Sequence, residues 1–557
     1  MKTRKLAVLL SLASIVSAAA VPSRAETILT HHVREATTNG QAKAIGHLPA
    51  TQILQLDVVL ALRDPAGLDN FLAEIYSTTL PNHVHFLSPS EFTERFGPTQ
   101  PDYEAVQRYV QNHGLAVVGG SRDRMEVQVK GPVSAIESAF HVNLLVYQHP
   151  TENRTFFAPD REPTADLPFA LWHISGLDNY SIPHPKHSSK TEYAKARGID
   201  PDTIHSALTG SGPGKSYLGS DMRAAYYGGT LTGAGQNLGL FEYYGTDLAD
   251  LNLYYKNTGQ TNNVPITLYS TDGTSVNCFY SQGCDDGEQT LDMTQALSMA
   301  PGLASLVMYV GATDTAIISA MTTHSPLPTT IGCSWGWTPA DATALDPYFK
   351  KMAAQGQNFF VASGDNSTWT KNGNAEAWPA DDANIVSVGG TDLVTTTGGG
   401  PWKSEKAWAY SGGGISPDGI AIPAWQLLPG VINSSNKGST TLRNGPDVAA
   451  NANYDFYVCR DQDGCATDWG GTSFAAPMFA AYVALANQQL KTNGYSPLGF
   501  INPFLYAFGT GSKYSTDFHD VTSGKSGKRS AVKGYDLVTG WGSPNGQGLL
   551  NALVGEN

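Results

Sequence analysis

Charge is scarce in this chain. Only 15% of its 557 residues are Asp, Glu, Lys or Arg, and acids outnumber bases 49 to 35. A partner such as nucleic acid or an anionic membrane surface calls for clustered Lys and Arg, so neither is expected. Few carboxylates also means few groups that acid must protonate at a cost to the fold, a composition suited to acid. Long apolar runs are missing as well. No segment approaches the ~20 apolar residues of a membrane span. The apolar stretch Leu6–Val16 follows Lys2, Arg4 and Lys5 and leads through small residues to Ala25. Residues 1–25 therefore read as a signal peptide, and the protein is expected outside the cell or in a periplasm without a membrane anchor. Cysteines number five. Cys278 and Cys284 lie six apart, as do Cys459 and Cys465, each pair in a Gly/Asp-rich loop where a local disulfide closes easily. Cys333, within an apolar run, is left over and reads as a buried free thiol.

Apolar residues make up 41% of the chain, enough for a large core, and the length suits two or three domains. From about residue 45 to 180 strand and helix patterns alternate. Gln55–Leu62, Met125–Lys130 and Val142–Tyr147 read as strands, and Ala66–Ser77, Asp102–Asn112 and Val133–Phe140 as helices. That order suits a small α+β, ferredoxin-like domain. Ser181–Lys190, rich in Pro, His, Ser and Lys, reads as an exposed linker, and the linker region runs to about residue 210. From 211 to 557 the apolar runs Asn237–Glu242, Ser305–Val310, Thr330–Ser334, Asn358–Ser363 and Ile385–Val388 alternate with helical patterns such as Glu288–Met299 and Ala342–Gln355. Buried strands separated by helices predict an α/β domain with a doubly wound, mostly parallel sheet.

The chemistry starts at Gly471-Thr472-Ser473-Phe474-Ala475-Ala476-Pro477, where a Ser opens the apolar helical stretch Phe474–Leu490. A Ser there points its N–H outward at a positive helix end, ready for an oxyanion. An N-capping Ser on a buried helix gives the same pattern. A Ser nucleophile ordinarily needs a His base, yet beyond Gly210 only His324 and His519 occur, neither in a His-Gly-Thr context. Its base would then be a carboxylate. Glu288 and Asp292 are four apart, one face of a helix that Asp286 and Gln289 would start as a capping box. Buried together, two such carboxyls share a proton and titrate as a unit; exposed, they are an ordinary acidic turn. Asp365, just after the run Asn358–Ser363, lies at the carboxyl edge of the sheet and, protonated, could donate to an oxyanion.

Five motifs then occur in one order: Glu288-x-x-x-Asp292, Ser334-Trp335-Gly336, Ala362-Ser363-Gly364-Asp365, Val388-Gly389-Gly390-Thr391 and Gly471-Thr472-Ser473-x-x-x-Pro477. Upstream stands His85-Phe86-Leu87-Ser88-Pro89-Ser90-Glu91-Phe92, running to Arg95-Phe96-Gly97. Over nearly its whole length the chain resembles the sedolisin (serine-carboxyl peptidase) family with a prodomain of the pro-kumamolisin type. The resemblance implies a subtilisin-like catalytic domain and a secreted, acid-active endopeptidase made as a self-processing zymogen. In it Ser473 is the nucleophile, Glu288 its base, Asp292 the partner of Glu288, and Asp365 an oxyanion donor. Ser334 and Gly336 would pair with the substrate backbone, with Trp335 near a side-chain pocket. Asp520 and Asp536, with the carbonyls of Val521, Val532 and Gly534, would hold one structural calcium ion. Polypeptides are the expected substrates, the prodomain an intramolecular inhibitor, and a monomer the expected state. A tripeptidyl exopeptidase of the same family and an inactive binding homologue are the alternatives. Gly332-Cys333 stands before Ser334 where bulkier strand residues are expected. Of the 14 histidines, 11 lie at or before His187, so His83, His85 and His141 are the expected acid trigger at the prodomain contact, with release from about pH 6 to 5 and then cleavage in the linker between about Ser181 and Ser211; protonation of anchoring carboxylates near about pH 4 is the rival trigger.

Overall fold

The computed structural model describes residues 26–77, 84–338, 342–370, 377–460 and 464–556; the proposed signal peptide and His83 lie outside the described residues. The first domain contains β1 (Ile53–Leu60), α1 (Pro65–Ile75), α2 (Gln100–Asn112), β2 (Ala116–Gly120), β3 (Glu126–Pro132), α3 (Val133–Phe140) and β4 (Leu171–Ser175). The sheet is antiparallel with spatial order β2-β3-β1-β4, the ferredoxin-like arrangement. Thr99 caps α2 by accepting from the Asp102 N–H at 3.2 Å, and Val106, Tyr109 and Val110 turn inward at helical spacing. They meet Leu56, Val58, Val127 and Val129 in one core. The strand expected at Val142–Tyr147 forms at Leu144–Gln148, but in a separate three-stranded sheet. The fourth strand of the main sheet is β4, whose Leu-Trp-His-Ile-Ser sequence is too short and mixed to announce itself.

The second domain is built on a larger sheet. Its elements are β5 (Asn237–Glu242), β6 (Ile266–Ser270), α4 (Gly287–Met299), β7 (Ser305–Val310), α5 (Asp314–Thr323), β8 (Thr330–Cys333), α6 (Asp346–Ala354), β9 (Asn358–Ala362), β10 (Val386–Thr395), β11 (Trp402–Ala407), β12 (Val448–Asn451) and α7 (Ala475–Thr492). Strand order is β6-β7-β5-β8-β9-β10-β11, with β12 also on β10, and every pair but β10·β11 is parallel. Alternate residues serve opposite faces. Leu238, Leu240, Met308 and Phe360 join the core of α4 and α7, while Phe241, Tyr309, Ile331 and Val361 join that of α5 and α6. This second core also takes in Val59, Leu68, Phe92 and Phe96, so the first domain shares a hydrophobic interior with the second.

Polar contacts fasten the two domains. The Tyr76 hydroxyl donates to the Ala353 carbonyl at 2.8 Å, and Trp172 Nε1 to the Ala344 carbonyl at 3.0 Å. Asp123 and Lys351 form an ion pair buried from solvent, and Thr313 donates to Asp57. Of the histidines expected at this contact, the two within the described residues turn elsewhere. His85 is exposed, and the partly exposed His141 faces Thr164 and Asp166 of its own domain. Both flank elements, as their sequence context suggests, but on the solvent side. Ser181–Lys190 is not an exposed linker either: it crosses the carboxyl edge of the large sheet, and Lys186 is buried.

Candidate active site

Ser473 sits in a 3-10 turn, Thr472–Phe474, leading into α7. The turn is held by Phe474, stacked on Phe456 at 4.1 Å, and by Gly471. Gly471 has φ +141°, and a Cβ there would stand 2.3 Å from the Lys186 carbonyl oxygen and 2.6 Å from Asp365 Oδ2. Only glycine lets those two oxygens close in. Gly332 is explained in the same way. A Cβ on it would lie 3.1 Å from Pro477 Cα, so the small residue lets β8 pack against the first turn of α7.

Helix α4 is buried along its whole length. The expected Asp286–Gln289 capping box does not form. Asp285 Oδ1 accepts from the Gly287 N–H at 2.9 Å, whereas Asp286 turns to Thr246 and Asp247, and Gln289 to the Tyr244 carbonyl. Tertiary partners take the first-turn side chains because no side of this helix faces water. Glu288 and Asp292 share one face.

Ser473 Oγ donates to Glu288 Oε2 at 2.9 Å. Ser334 Oγ donates to Asp292 Oδ1 at 2.7 Å. Behind them lies an acid that the sequence reading missed, Glu242 at the end of β5, which accepts from Trp335 Nε1 at 3.0 Å. Its signal was an apolar strand ending in a carboxylate. Glu288 Oε1, Asp292 Oδ2 and Glu242 Oε1 are buried and meet no N–H or O–H donor among the described residues. Adjacent carboxyls can satisfy such oxygens only by holding protons between them. Burial pushes all three well above the usual carboxylate range; the Glu288 charge adds to the rise at Asp292, and the Asp292 charge to that at Glu242. Asp365 accepts from the Thr472 N–H at 2.8 Å and Thr472 Oγ1 at 2.9 Å. Burial pushes it up to about 7 against those bonds.

The segment after the first domain occupies the cleft as a peptide. His184 and Pro185 pair antiparallel with Gly336 and Trp335. The Lys186 N–H donates to the Ser334 carbonyl at 2.9 Å, and the Ser473 N–H donates to the Lys186 carbonyl at 3.1 Å. Ser188 and Ser189 continue against Gly470 and Trp469. His187 Nδ1 lies 2.8 Å from the same Glu288 oxygen that Ser473 uses. The strand of Ser334, Trp335 and Gly336 thus carries a peptide backbone, while the Trp335 ring turns away from it toward Glu242. Cys278–Cys284 and Cys459–Cys465 are bonded, and Cys333 is buried, its thiol pushed up by burial.

Of the proposed calcium residues, Asp536 and Asp520 reach the backbone of Val532 and Gly534. Asp536 Oδ2 accepts from the Val532 N–H at 3.0 Å and Asp520 Oδ1 from the Gly534 N–H at 3.1 Å. Asp536 is buried, and burial pushes it up to about 7. Carboxylates and backbone carbonyls are donor types that a hard cation takes, but Asp536 already accepts from the Val532, Val538 and Thr539 N–H groups, and among the described residues no cluster of three or more His, Cys, Asp or Glu side chains suited to a metal forms.

Residues 40–179 match the family model "Pro-kumamolisin, activation domain", and 296–498 match "Subtilase family". Kumamolisin of a Bacillus species is 28% identical over an alignment covering 92% of this chain and 94% of that protein. The solved structure of Pseudomonas sedolisin, complexed with pseudo-iodotyrostatin, aligns with a TM-score of 0.50 at 26% identity, covering 60% of this chain and 97% of that one. The chain belongs to the sedolisin family. It is a serine-carboxyl peptidase of that family with its activation domain in place. Sedolisin relatives include exopeptidases by name: tripeptidyl-peptidase sed5 of Aspergillus fumigatus is 23% identical across 84% of this chain and 87% of its own. Among the described residues, no helix of this sedolisin relative is long and apolar enough to cross a membrane.

Proposed function

We propose that the protein is an exported, acid-active serine-type endopeptidase whose precursor processes itself. One observation carries this reading: Ser473 Oγ donates to the buried Glu288 carboxylate at 2.9 Å while the Ser473 N–H holds a peptide carbonyl at 3.1 Å. Ser473 Oγ attacks the carbonyl carbon and its proton passes to Glu288 Oε2. The C–N bond breaks and the departing amine takes that proton. Water, giving a proton to Glu288, then attacks the acyl ester, and Glu288 returns that proton to Ser473 Oγ as the ester C–O bond breaks. Asp292 and Glu242 hold the protons behind Glu288 and keep it in place. The oxyanion is shared by the Ser473 N–H and Asp365, which must be protonated to donate. Its pKa of about 7 supplies that proton in acid and removes it above neutrality.

Endopeptidase action is supported by the path of the bound segment. The chain continues past His184 into the first domain, so the cleft accepts peptide beyond the third residue from the reacting bond. We also propose one structural calcium ion held by Asp520, Asp536 and the carbonyls of Val521, Val532 and Gly534. When bound, it would cross-link the C-terminal loops. The test of the main reading is purified precursor incubated with a protein substrate between about pH 3 and 5, within the range where carboxylates titrate. Internal fragments are expected. Successive three-residue losses from free amino termini would replace endopeptidase by tripeptidyl exopeptidase. No cleavage by a folded protein would overturn the peptidase mechanism.

A further inference from the structure

The Lys186 side chain does more than pass through the cleft. It is 4% exposed, although a lysine in a loop ordinarily keeps its ammonium in water. Its Nζ donates to the Ala362 carbonyl at 2.9 Å, at the end of β9 and three residues before Asp365. Its stem runs along Gly336. A Cβ on that residue would be 2.2 Å from Lys186 Cε, 2.7 Å from Nζ and 3.1 Å from the Trp378 carbonyl oxygen. The pocket is therefore open along one wall only because residue 336 lacks a side chain, and the Ala362 backbone carbonyl accepts from the ammonium at its inner end. Acceptors fixed in the backbone suit an ammonium donor and leave an apolar side chain with a buried acceptor unsatisfied. Lys186 is also the residue whose carbonyl rests on the Ser473 N–H and whose own N–H rests on Ser334. The side chain in this pocket thus belongs to the residue on the acyl side of the bond presented to Ser473.

We propose that this pocket selects lysine on the acyl side of the cleaved bond, and that Lys186–His187 is the first bond the precursor cuts in itself. This rests on the serine-peptidase reading above. The step balances as that mechanism requires. Ser473 Oγ bonds to the Lys186 carbonyl carbon as the bond to the His187 nitrogen breaks, and the Ser473 proton leaves through Glu288 on the His187 amine. Hydrolysis of the ester then frees the Lys186 carboxylate. The activation domain ends at Lys186 and the peptidase begins at His187. Gly336 and the Ala362 carbonyl are the groups that set the preference.

Two measurements test it. The first is the new amino terminus that appears earliest when dilute precursor is acidified, read by mass. His187 is expected, and Lys186→Glu should slow that cut by about tenfold or more. An earliest terminus elsewhere, with Lys186–His187 left intact, overturns the proposal. The second uses the matured enzyme on peptides of the form His-Pro-X-His-Ser with X as Lys, Arg, Leu, Phe or Ala. kcat/KM should be highest for Lys and at least about tenfold lower for Leu and Phe. Gly336→Ala should lower the Lys-to-Ala ratio, a readout internal to one protein that a general loss of fold does not mimic. Leu or Phe cleaved as well as Lys, or an unchanged ratio in Gly336→Ala, overturns the lysine pocket while leaving the peptidase reading intact. No cleavage of any peptide or protein by folded enzyme overturns both.

Discussion

Ser473 and the carboxyls behind it make the sharpest claims at the scale of single residues. Ser473→Ala should abolish self-processing and substrate cleavage, a loss on the order of 10⁴-fold or more; a pure, dilute Ser473→Ala precursor that still matures would remove Ser473 from the mechanism. Glu242 touches neither nucleophile nor bound peptide. It acts through Asp292 and Trp335 and is a positioning residue. Glu242→Gln should lower kcat by about tenfold, ~1.4 kcal/mol, and shift the pH–rate profile, because it removes one acid from a set that titrates together. A mere packing role would lower the melting temperature and leave the profile in place. Ser473, Glu288, Asp292 and Asp365 could be singled out in the sequence as candidates by residue type and spacing, and given roles by the family resemblance. Glu242 could not, since a single acid at the end of an apolar strand matches any strand terminus until its partners are seen.

At the scale of elements, β8 and α7 depend on one missing side chain. Gly332 replaces the bulkier residue expected there because Pro477 approaches to within 3.1 Å of where a Cβ would be. Gly332→Val should destabilise the protein by ~1–3 kcal/mol through overpacking and displace Ser473 at the start of α7, so melting temperature and kcat should fall together. An unchanged melting temperature would show that the helix has room. For the C-terminal loops, Asp536→Ala should lower the melting temperature and remove the further drop that a chelator causes in the wild type. A chelator effect that survives Asp536→Ala would place the ion elsewhere. The capping box expected at Asp286 and Gln289 shows how local signals are overruled when a helix is buried on every side.

For the whole molecule, the contact between the domains sets the pH response. Burial is the largest influence on Asp123 and opposes its ionisation, but the Lys351 charge together with hydrogen bonds from Lys351, Ser121 and the Met125 N–H outweighs it and holds the carboxyl below its usual range. That contribution is present above the ordinary value of about 4 and lost as pH falls through the lowered one. Asp57 has the opposite sign. Burial pushes it up to about 7, so its contribution is full in acid and lost as pH rises through that value. The contact should be firmest between the two limits. In Ser473→Ala precursor, the activation domain should dissociate below about pH 4, not between 6 and 5 as a histidine trigger requires. Asp123→Asn should remove most of that acid dependence, and His85→Gln with His141→Gln should leave the midpoint where it was. A midpoint near 6 that moves with the histidines would restore the histidine trigger. Legible in the sequence was whatever is written locally: strand and helix periods, the order of five motifs, cysteine spacings and the four candidate catalytic side chains that those motifs contain. Only the tertiary structure decided which residues far apart in the chain meet. It set Glu242 behind Asp292, laid Lys186–His187 across Ser473, and buried Asp123 against Lys351 while leaving His85 in solvent. Burial and long-range pairing are properties of the packed chain, and a polar, proline-rich segment reads as exposed until the cleft that encloses it exists.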